Sequence, residues 1–318
     1  MYLGIDGGGT KTAYALVGAD GIVRGAFEGE TTNYNQVGFH GVEAALRHGI
    51  DRALDRGNTA LGEVVGAVVG IGGVGEIAAE MVPLEAAVVH ALRGVPFRLV
   101  NDCEVGWAGG LALEPGINVV AGTGSIAFGR DEDGRTMRVG GWAWRIGDEG
   151  SAHWLGRQIV QVFTKQSDGR LVRTPLYDCV RRRLGLNQDI EIRVIAETIS
   201  RRDMADLAQL LPEAMALGDE TPAALYHMAG VELGLHVRGL RNALSFKPVV
   251  SVSCSGGVFS SQPYVLQAFK NSLEEFSARY LPARLSPVLG AALLAAERFW
   301  PDAVPAFRAA LLGEPRQH

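Results

Sequence analysis

Residues 6–12 read DGGGTKT and directly follow the short apolar run Tyr2-Leu3-Gly4-Ile5. Glycine has no Cβ atom, so the backbone N–H groups of such a turn can converge on an anion, and the threonine hydroxyls add further donors. The pattern predicts a strand that enters a phosphate-binding turn. A Walker A loop has glycine immediately before its lysine, whereas here Thr10 precedes Lys11. The sequence therefore disfavours a P-loop ATPase.

A second glycine-hydroxyl turn, GTGS at residues 122–125, follows the apolar run 117–121 and precedes another run at 126–130. The first turn has the same plan, with predicted strand segments at residues 2–6 and 13–17. We interpret the two segments as a weak internal repeat of β-hairpins. Two such turns facing each other would hold a triphosphate.

Size and charge restrict the class of protein. A chain of 318 residues with 47% hydrophobic content exceeds one core, so two domains with a ligand cleft between them are expected. A net charge of -5 provides no basic field for nucleic acid or an anionic membrane. The longest apolar stretch, residues 64–75, is too short to span a bilayer, and the first six residues do not resemble a secretion signal. These features predict a cytoplasmic protein whose partners are small molecules and copies of itself.

Strands and helices alternate along the chain, which predicts parallel βαβ units. We expect strands at residues 63–70, 97–100 and 248–253, a helix at 77–92 entered around Pro83, mostly helix at 149–245 with one helix opening at Thr221-Pro222, and a final regular helix at 287–299. The spacing of Val42, Leu46 and Ile50 predicts one buried helix face. Gly290, in the first turn of the last helix, would allow this helix to approach a neighbouring backbone closely.

Two carboxylates stand where chemistry is expected. Asp102 follows the strand at residues 97–100, at the sheet edge where ligands collect, and is a candidate base. The alternative is that it caps the next helix. Asp148 lies in the loop GWAWRIGDEGS at residues 141–151, which would present it to a ligand; the alternative is a capped helix start with aromatic packing.

Other patterns are interpreted as structural. GIGGVG at residues 70–75 matches a dinucleotide-binding fingerprint, but the nearest strand-end acid, Asp102, lies 27 residues beyond Gly75 instead of about 20. The seven histidines show no metal-ligand spacing, and Cys103, Cys179 and Cys254 are too far apart for a metal or disulfide framework, so reduced thiols are expected. The arginines at 181–183 and 201–202 are interpreted as solvated helix faces.

Taken in order, the motifs resemble those of the sugar kinase, Hsp70 and actin superfamily. Within it, the chain resembles the N-acetylglucosamine kinase branch of the BadF/BadG/BcrA/BcrD ATPase-like family. The resemblance rests on DGGGT from Asp6, Thr32-Asn33, Asn101-Asp102, GTGS from Gly122, GGW and GDEGS between Gly140 and Ser151, and Ser255-Gly256-Gly257. It covers almost the whole chain.

This resemblance implies an α/β fold of two actin-like, ribonuclease H-like domains, each a mixed sheet flanked by helices, with an interdomain cleft. Residues 1–105, completed by the helix at 287–300, would form the domain with the first phosphate turn and the sugar site. Residues 106–286 would form a larger nucleotide-binding domain.

Roles follow from the same motif positions. Asp102 would be the catalytic base, and Asp6 would hold Mg²⁺ through water. The residues expected to bind ATP are Gly8, Gly9, Thr10, Lys11, Thr123, Gly256 and Gly257. The residues expected to contact the sugar are Asn33, Gly124, Gly141 and Asp148. Position 126 is Ile, where N-acetylglucosamine kinases carry Asn.

The implied activity is an ATP-dependent amino-sugar kinase that phosphorylates O6 of N-acetylglucosamine, acting as a homodimer. A glucosamine kinase would need the same apparatus. An ATPase that activates a partner dehydratase would need cysteines for an iron-sulfur cluster, for which Cys103 alone is a poor basis. A sugar-responsive regulator is a third alternative, but no helix-turn-helix precedes Tyr2 in this sequence.

Overall fold

Two five-stranded mixed sheets organise the protein, whose structure is a computed structural model that describes residues 1–314. The strands of this part of the chain are β1 (Tyr2–Gly7), β2 (Lys11–Val17), β3 (Val23–Glu30), β4 (Gly66–Ile71), β5 (Phe97–Val100), β6 (Gly116–Ala121), β7 (Ser125–Arg130), β8 (Thr136–Gly140), β9 (Val250–Ser255) and β10 (Ala278–Tyr280).

Helices account for most of the remaining described residues. They are α1 (Tyr34–Gly57), α2 (Ala78–Leu92), α3 (Asp102–Leu111), α4 (Ala152–Ser167), α5 (Pro175–Leu184), α6 (Ile192–Thr198), α7 (Arg201–Asp206), α8 (Leu210–Ala216), α9 (Thr221–Ala243), α10 (Gly257–Ser261), α11 (Pro263–Glu275), α12 (Pro287–Phe299) and α13 (Val304–Leu312). Within residues 1–314, no helix is long and apolar enough to cross a membrane.

The first sheet has the strand order β3-β2-β1-β4-β5. β1 pairs antiparallel with β2 and parallel with β4, and β4 pairs parallel with β5. The carboxyl ends of β1, β4 and β5 therefore meet at one edge of the sheet. This topology brings Asp6 of β1 and Asp102, which follows β5, to the same edge.

The second sheet has the order β10-β9-β6-β7-β8, with β9 parallel to β10 and β7 antiparallel to β8. The backbone of Gly256, just after β9, packs directly on the backbone of Ala121 at the end of β6. The turn that follows β6 and the turn that follows β9 consequently lie side by side.

The described residues divide into two compact units: residues 1–118 with residues 282–314, and residues 119–281. In the first unit, Val42, Leu46 and Ile50 of α1 are completely buried against the sheet, as their spacing predicts. Helix α12 packs on α3, β1 and β4. A Cβ atom on Gly290 would collide with the backbone of Gly109, so the predicted close approach occurs here.

Several predicted boundaries differ from the structure. The strand expected from residue 63 begins at Gly66, because residues 61–63 form a 3₁₀ turn. Helix α2 begins at Ala78, not at Pro83, which lies in its second turn and deprives the Ala79 carbonyl of its helical donor. The helix opening predicted at Thr221-Pro222 begins at Thr221 itself.

The helix that was predicted to be the last is followed by a further one. Helix α12 ends at Phe299 as expected, but α13 follows it and buries Phe307 against Tyr2 with ring centroids 5.0 Å apart. The polar, proline-containing stretch after Leu312, which the sequence predicts to be frayed, falls mostly on residues 315–318, which lie outside the described residues.

Candidate active site

The first glycine turn joins β1 to β2 and is held from outside. The Gly8 amide donates to the carbonyl of Lys11 at 3.0 Å and closes the turn. The Thr31 hydroxyl donates to the Gly8 carbonyl at 2.8 Å, and the Gln36 side-chain amide donates to the Gly9 carbonyl at 3.0 Å. Sequence reasoning missed both side chains, because their partners are backbone atoms of a distant turn. They fix the turn by its carbonyl groups.

Space remains beside this turn at Gly9. A Cβ atom there would meet nothing closer than the Asn33 amide nitrogen, at 3.9 Å. Asn33 also caps α1, because its side-chain oxygen accepts the amide of Asn35 at 3.0 Å. Lys11 points elsewhere: its ammonium pairs with Glu28 at 2.7 Å in an exposed ion pair. The open position at Gly9 is where an anion would find room.

Asp6 and Asp102 form a pair of partly buried carboxylates at the edge of the first sheet. Burial, followed by the Asp102 carboxylate, raises the pKa of Asp6 to about 7, whereas Lys11 lowers it. Burial is also the main cause that raises the pKa of Asp102 to about 6, opposed by the backbone amide of Cys103 and reinforced by Glu76. Both groups therefore titrate close to neutral pH.

The loop after β4 contains the GIGGVG match. Helix α2 begins only at Ala78, so these glycines do not open a helix as a dinucleotide fingerprint requires. Gly72 instead faces Asp102: a Cβ atom there would lie 3.2 Å from a carboxylate oxygen. Gly73, at φ 90°, packs against the hydroxyl of Tyr34. Because Gly72 has no side chain, this loop leaves room for the Asp102 carboxylate.

The second glycine turn is fastened to the start of α4. The amides of Ala152 and His153 donate to the carbonyls of Gly122 and Thr123, at 2.9 and 3.3 Å. The Ser125 hydroxyl donates to the Glu149 carbonyl at 2.7 Å. The GTGS turn and the GDEGS loop therefore form one assembled element, and Ser151 caps α4 by accepting the amide of Trp154 at 3.1 Å.

Asp148 is the buried carboxylate of this element, with 3% of its surface exposed and an unusual positive φ of 59°. One oxygen accepts the amide of Ser125 at 3.3 Å, and the other accepts a guanidinium nitrogen of Arg201 at 2.6 Å. The predicted solvated helix face holds for Arg202, which is exposed, but only in part for Arg201, whose side chain is 38% exposed and pairs with the buried Asp148. No local pattern reveals the pair, because 53 residues separate the partners.

Two glycines make room around this ion pair. A Cβ atom on Gly124 would overlap Arg201 and would lie 2.7 Å from the nearer oxygen of Asp148. A Cβ atom on Gly141, at φ 71°, would lie 2.9 Å from the end of the Ile126 side chain. The structure thus brings four of the sequence-predicted or flagged positions together: Gly124, Ile126, Gly141 and Asp148.

Cations surround the buried His153 in the same unit. Its ring meets Trp144 edge-on at 5.3 Å, and Arg145 lies over that Trp ring at 4.8 Å. Arg157 donates only to backbone carbonyls, those of residues 144 and 145. Burial, Arg157 and Arg201, in that order, lower the pKa of His153 to about 4. The histidine is therefore neutral at physiological pH.

The turn after β9 completes the second unit's candidate site. Gly256 has φ 101°, which favours glycine, and its close packing on Ala121 excludes any side chain. A Cβ atom on Gly257 or on Gly122 would meet nothing within 4 Å. Open backbone therefore flanks the junction of these two turns.

Cys103, Cys179 and Cys254 are all buried, and none of them forms a disulfide within the described residues. Within residues 1–314, no group of three or more His, Cys, Asp or Glu side chains could together hold a metal ion.

Paired mixed sheets with glycine turns at their carboxyl edges define the fold of actin-like sugar kinases. A solved structure from Chromobacterium violaceum, provisionally assigned as an N-acetylglucosamine kinase, matches with a TM-score of 0.74 and 26% identity. The match covers 92% of this chain and 98% of that chain. The predicted fold class is confirmed.

The chain belongs to the BadF/BadG/BcrA/BcrD ATPase family, whose sequence profile matches residues 3–295. It is 29% identical to an N-acetylmuramic acid/N-acetylglucosamine kinase of Clostridium acetobutylicum, over 85% of this chain and 89% of the relative. It is 26% identical to a glucosamine kinase of Vibrio cholerae, over 76% of this chain and 80% of the relative. The predicted family is confirmed, and these relatives are sugar kinases.

Proposed function

We propose that this protein is an ATP-dependent N-acetylglucosamine kinase that transfers the γ-phosphoryl group of ATP to the O6 hydroxyl. The observation that carries the proposal is the state of Asp102. Its carboxylate stands at the sheet edge, next to Asp6 and facing the space left by Gly72, with a pKa raised to about 6. A carboxylate of that pKa is ionised at neutral pH and still accepts a proton readily.

In the proposed reaction Asp102 accepts the proton of the attacking hydroxyl. Phosphoryl transfer passes through a loose transition state, so positioning and charge neutralisation dominate its catalysis. Hydrogen bonds to the carbonyls of Gly8 and Gly9 hold the first glycine turn in place. This supports a role of the turn in positioning phosphate, because a turn that is already fixed loses little entropy when it binds an anion.

ATP binding is supported by the family and by the open glycine turns. We assign phosphate contacts to Gly8, Gly9, Thr10, Lys11 and Thr123, and adenosine contacts to Gly256 and Gly257. A Cβ atom on Gly122 or Gly257 would meet no described atom within 4 Å, and one on Gly9 would meet only Asn33, so this open space fits a phosphate or ribose in direct contact with the backbone. Lys11 would exchange its exposed partner Glu28 for phosphate, which costs little because such surface pairs are weak.

Asp6 fits a hydrated Mg²⁺. Its ionised form is disfavoured by burial and by the neighbouring Asp102 carboxylate, so a divalent cation would relieve both penalties. Mg²⁺ typically keeps several waters and uses one or two carboxylates beside substrate phosphates. Bound there, the ion would supply positive charge to the transferring phosphoryl group.

We assign sugar contacts to Asn33, Gly124, Gly141 and Asp148. Asn33 keeps its amide N–H₂ group beside Gly9 while its oxygen caps α1. Ile126, which adjoins Gly141, offers an apolar contact that suits an acetyl methyl group and gives nothing to an ammonium. These contacts favour the acetylated sugar over glucosamine.

A coupled ADP-release assay with purified protein, ATP and a panel of hexoses and amino sugars tests the proposal. We expect kcat/KM for N-acetylglucosamine to exceed that for glucosamine about tenfold or more, with glucose lower still. Product analysis by NMR would identify the phosphorylated oxygen. Preference for glucosamine would favour the function of the Vibrio cholerae relative, and ATP hydrolysis without transfer to any sugar would favour an ATPase that serves a partner protein.

A further inference from the structure

The carboxylate that faces the proposed sugar site in the second unit is already neutralised. Asp148 is 97% buried, and both of its oxygens are engaged, one by the Ser125 amide and one by Arg201. A charge-assisted pair at 2.6 Å consumes most of the attraction that the carboxylate would otherwise exert on a ligand cation.

Arg201 retains donor capacity beside this pair. Its Nε atom is buried and has no hydrogen-bond partner within residues 1–314. A buried donor without a partner carries an energetic cost that a ligand acceptor would remove. A Cβ atom on Gly124 would overlap the guanidinium, so this group lies directly at the second glycine turn.

The surrounding charge is positive. Arg145 stacks on Trp144, and Arg157 bonds only to carbonyls, so neither forms an ion pair in the part of the chain that the structure describes. Arg157 and Arg201 both lie close enough to His153 to lower its pKa, and Arg145 stacks on the Trp144 ring beside it. His153, packed among them with its lowered pKa, adds no charge.

We propose that Arg201 determines substrate class at this site: by neutralising Asp148 and presenting a free N–H donor, it selects sugars whose C2 substituent is an uncharged amide and rejects a C2 ammonium. The inference rests on the proposed amino-sugar kinase activity. An ammonium brought here loses its water and meets no uncompensated carboxylate. An acetamido carbonyl meets a donor that lacks a partner.

The first test needs no variant. The amine of a 2-amino sugar resembles an α-amino group, whose pKa is about 7.7 to 8.0. If the site rejects the ammonium, kcat/KM for glucosamine rises about tenfold per pH unit below that pKa and levels above it, relative to N-acetylglucosamine measured in parallel. A glucosamine-to-N-acetylglucosamine ratio that stays flat between pH 6.5 and 9 overturns the inference.

The second test removes the charge. Arg201→Met leaves Asp148 uncompensated, so we expect glucosamine to gain at least tenfold on N-acetylglucosamine at pH 7 and the pH dependence of their ratio to flatten. Arg201→Lys keeps the charge and should retain most of the wild-type ratio. Arg202→Ala, an exposed neighbour on the same helix, is the matched control and should change neither value.

The outcomes separate the two proposals. Inactivity of the wild-type protein with every sugar overturns the proposed function. Activity with a substrate ratio that is the same in Arg201→Met and wild type overturns this inference alone. If Arg201→Met does not fold, the pH dependence of the wild-type ratio decides the inference, because that measurement needs no variant.

Discussion

The side chain of Asn101, not that of Asp102, caps helix α3. The Asn101 oxygen accepts the amide of Cys103 at 3.2 Å, while its amide group donates to the carbonyl of Val74 at 3.1 Å. Asp102 occupies the first position within the helix. The capping role that was the alternative for Asp102 therefore belongs to its neighbour Asn101.

Asp102→Asn tests the catalytic assignment. The substitution keeps the size of the side chain but removes the base, so kcat should fall about 10² to 10⁴-fold while the affinities for ATP and sugar stay within a few-fold. Steady-state kinetics and calorimetry would measure the two effects. Asp133→Asn, on an exposed turn, is the control. Near-wild-type turnover in Asp102→Asn would refute the assignment.

The same substitution should stabilise the ligand-free protein, in a pH-dependent way. The pKa of Asp102 is raised in the folded state, so the native protein binds the proton more tightly than the unfolded chain does. Ionisation of Asp102 therefore lowers the free energy of unfolding. This decrease begins as the pH rises above about 4 and is complete above about 6. Urea unfolding at pH 8 should show Asp102→Asn more stable by up to about 3 kcal/mol, with little difference near pH 4. A wild-type advantage at pH 8 would contradict the raised pKa.

Gly9→Val and Gly122→Val should each weaken ATP binding about tenfold or more. A side chain fits at either position in the protein itself, so the loss would come from occupying the space proposed for phosphate. Gly62→Val is the matched control, because a Cβ atom on Gly62 also meets nothing within 4 Å and this glycine belongs to neither turn. Calorimetry with ATP on folded variants measures the effect. Unchanged affinity in both turn variants would eliminate the two-turn arrangement.

Asp6→Asn should selectively weaken the binding of Mg²⁺. Removal of this carboxylate eliminates the charge that would hold the hydrated ion, so the Mg²⁺ concentration for half-maximal activity should rise about tenfold and kcat should fall. Titration of activity with Mg²⁺ at saturating ATP and sugar provides the measurement, again with Asp133→Asn as control. An unaltered Mg²⁺ titration would place the ion elsewhere.

Local patterns predicted what depends on local chemistry. The hairpins around both glycine turns, the buried face of α1 and the ends of α12 follow from apolar spacing and turn residues. The boundary errors around Pro83 and Gly66 arise where short-range preferences are weak and tertiary packing decides the first turn. The assigned roles of the site residues remain predictions.

Long-range partners were beyond such reasoning. Arg201 and Arg202 are adjacent arginines, yet only Arg201 reaches Asp148. Helix α7, which begins at Arg201, packs on α4, and the loop that carries Asp148 directly precedes α4. Thr31 and Gln36 hold the first turn through its carbonyls, which no side-chain motif encodes. A charge 53 residues away becomes a partner only through the fold.

The return of the chain to its first unit has a consequence for biosynthesis. Strand β1 is covered by α12, whose backbone approaches Gly4 so closely that no side chain fits between them. A ribosome releases that helix only after residues 1–286 have emerged. Residues 119–281 are contiguous and can fold as soon as they emerge, whereas residues 1–118 keep one side of their sheet uncovered until α12 follows them.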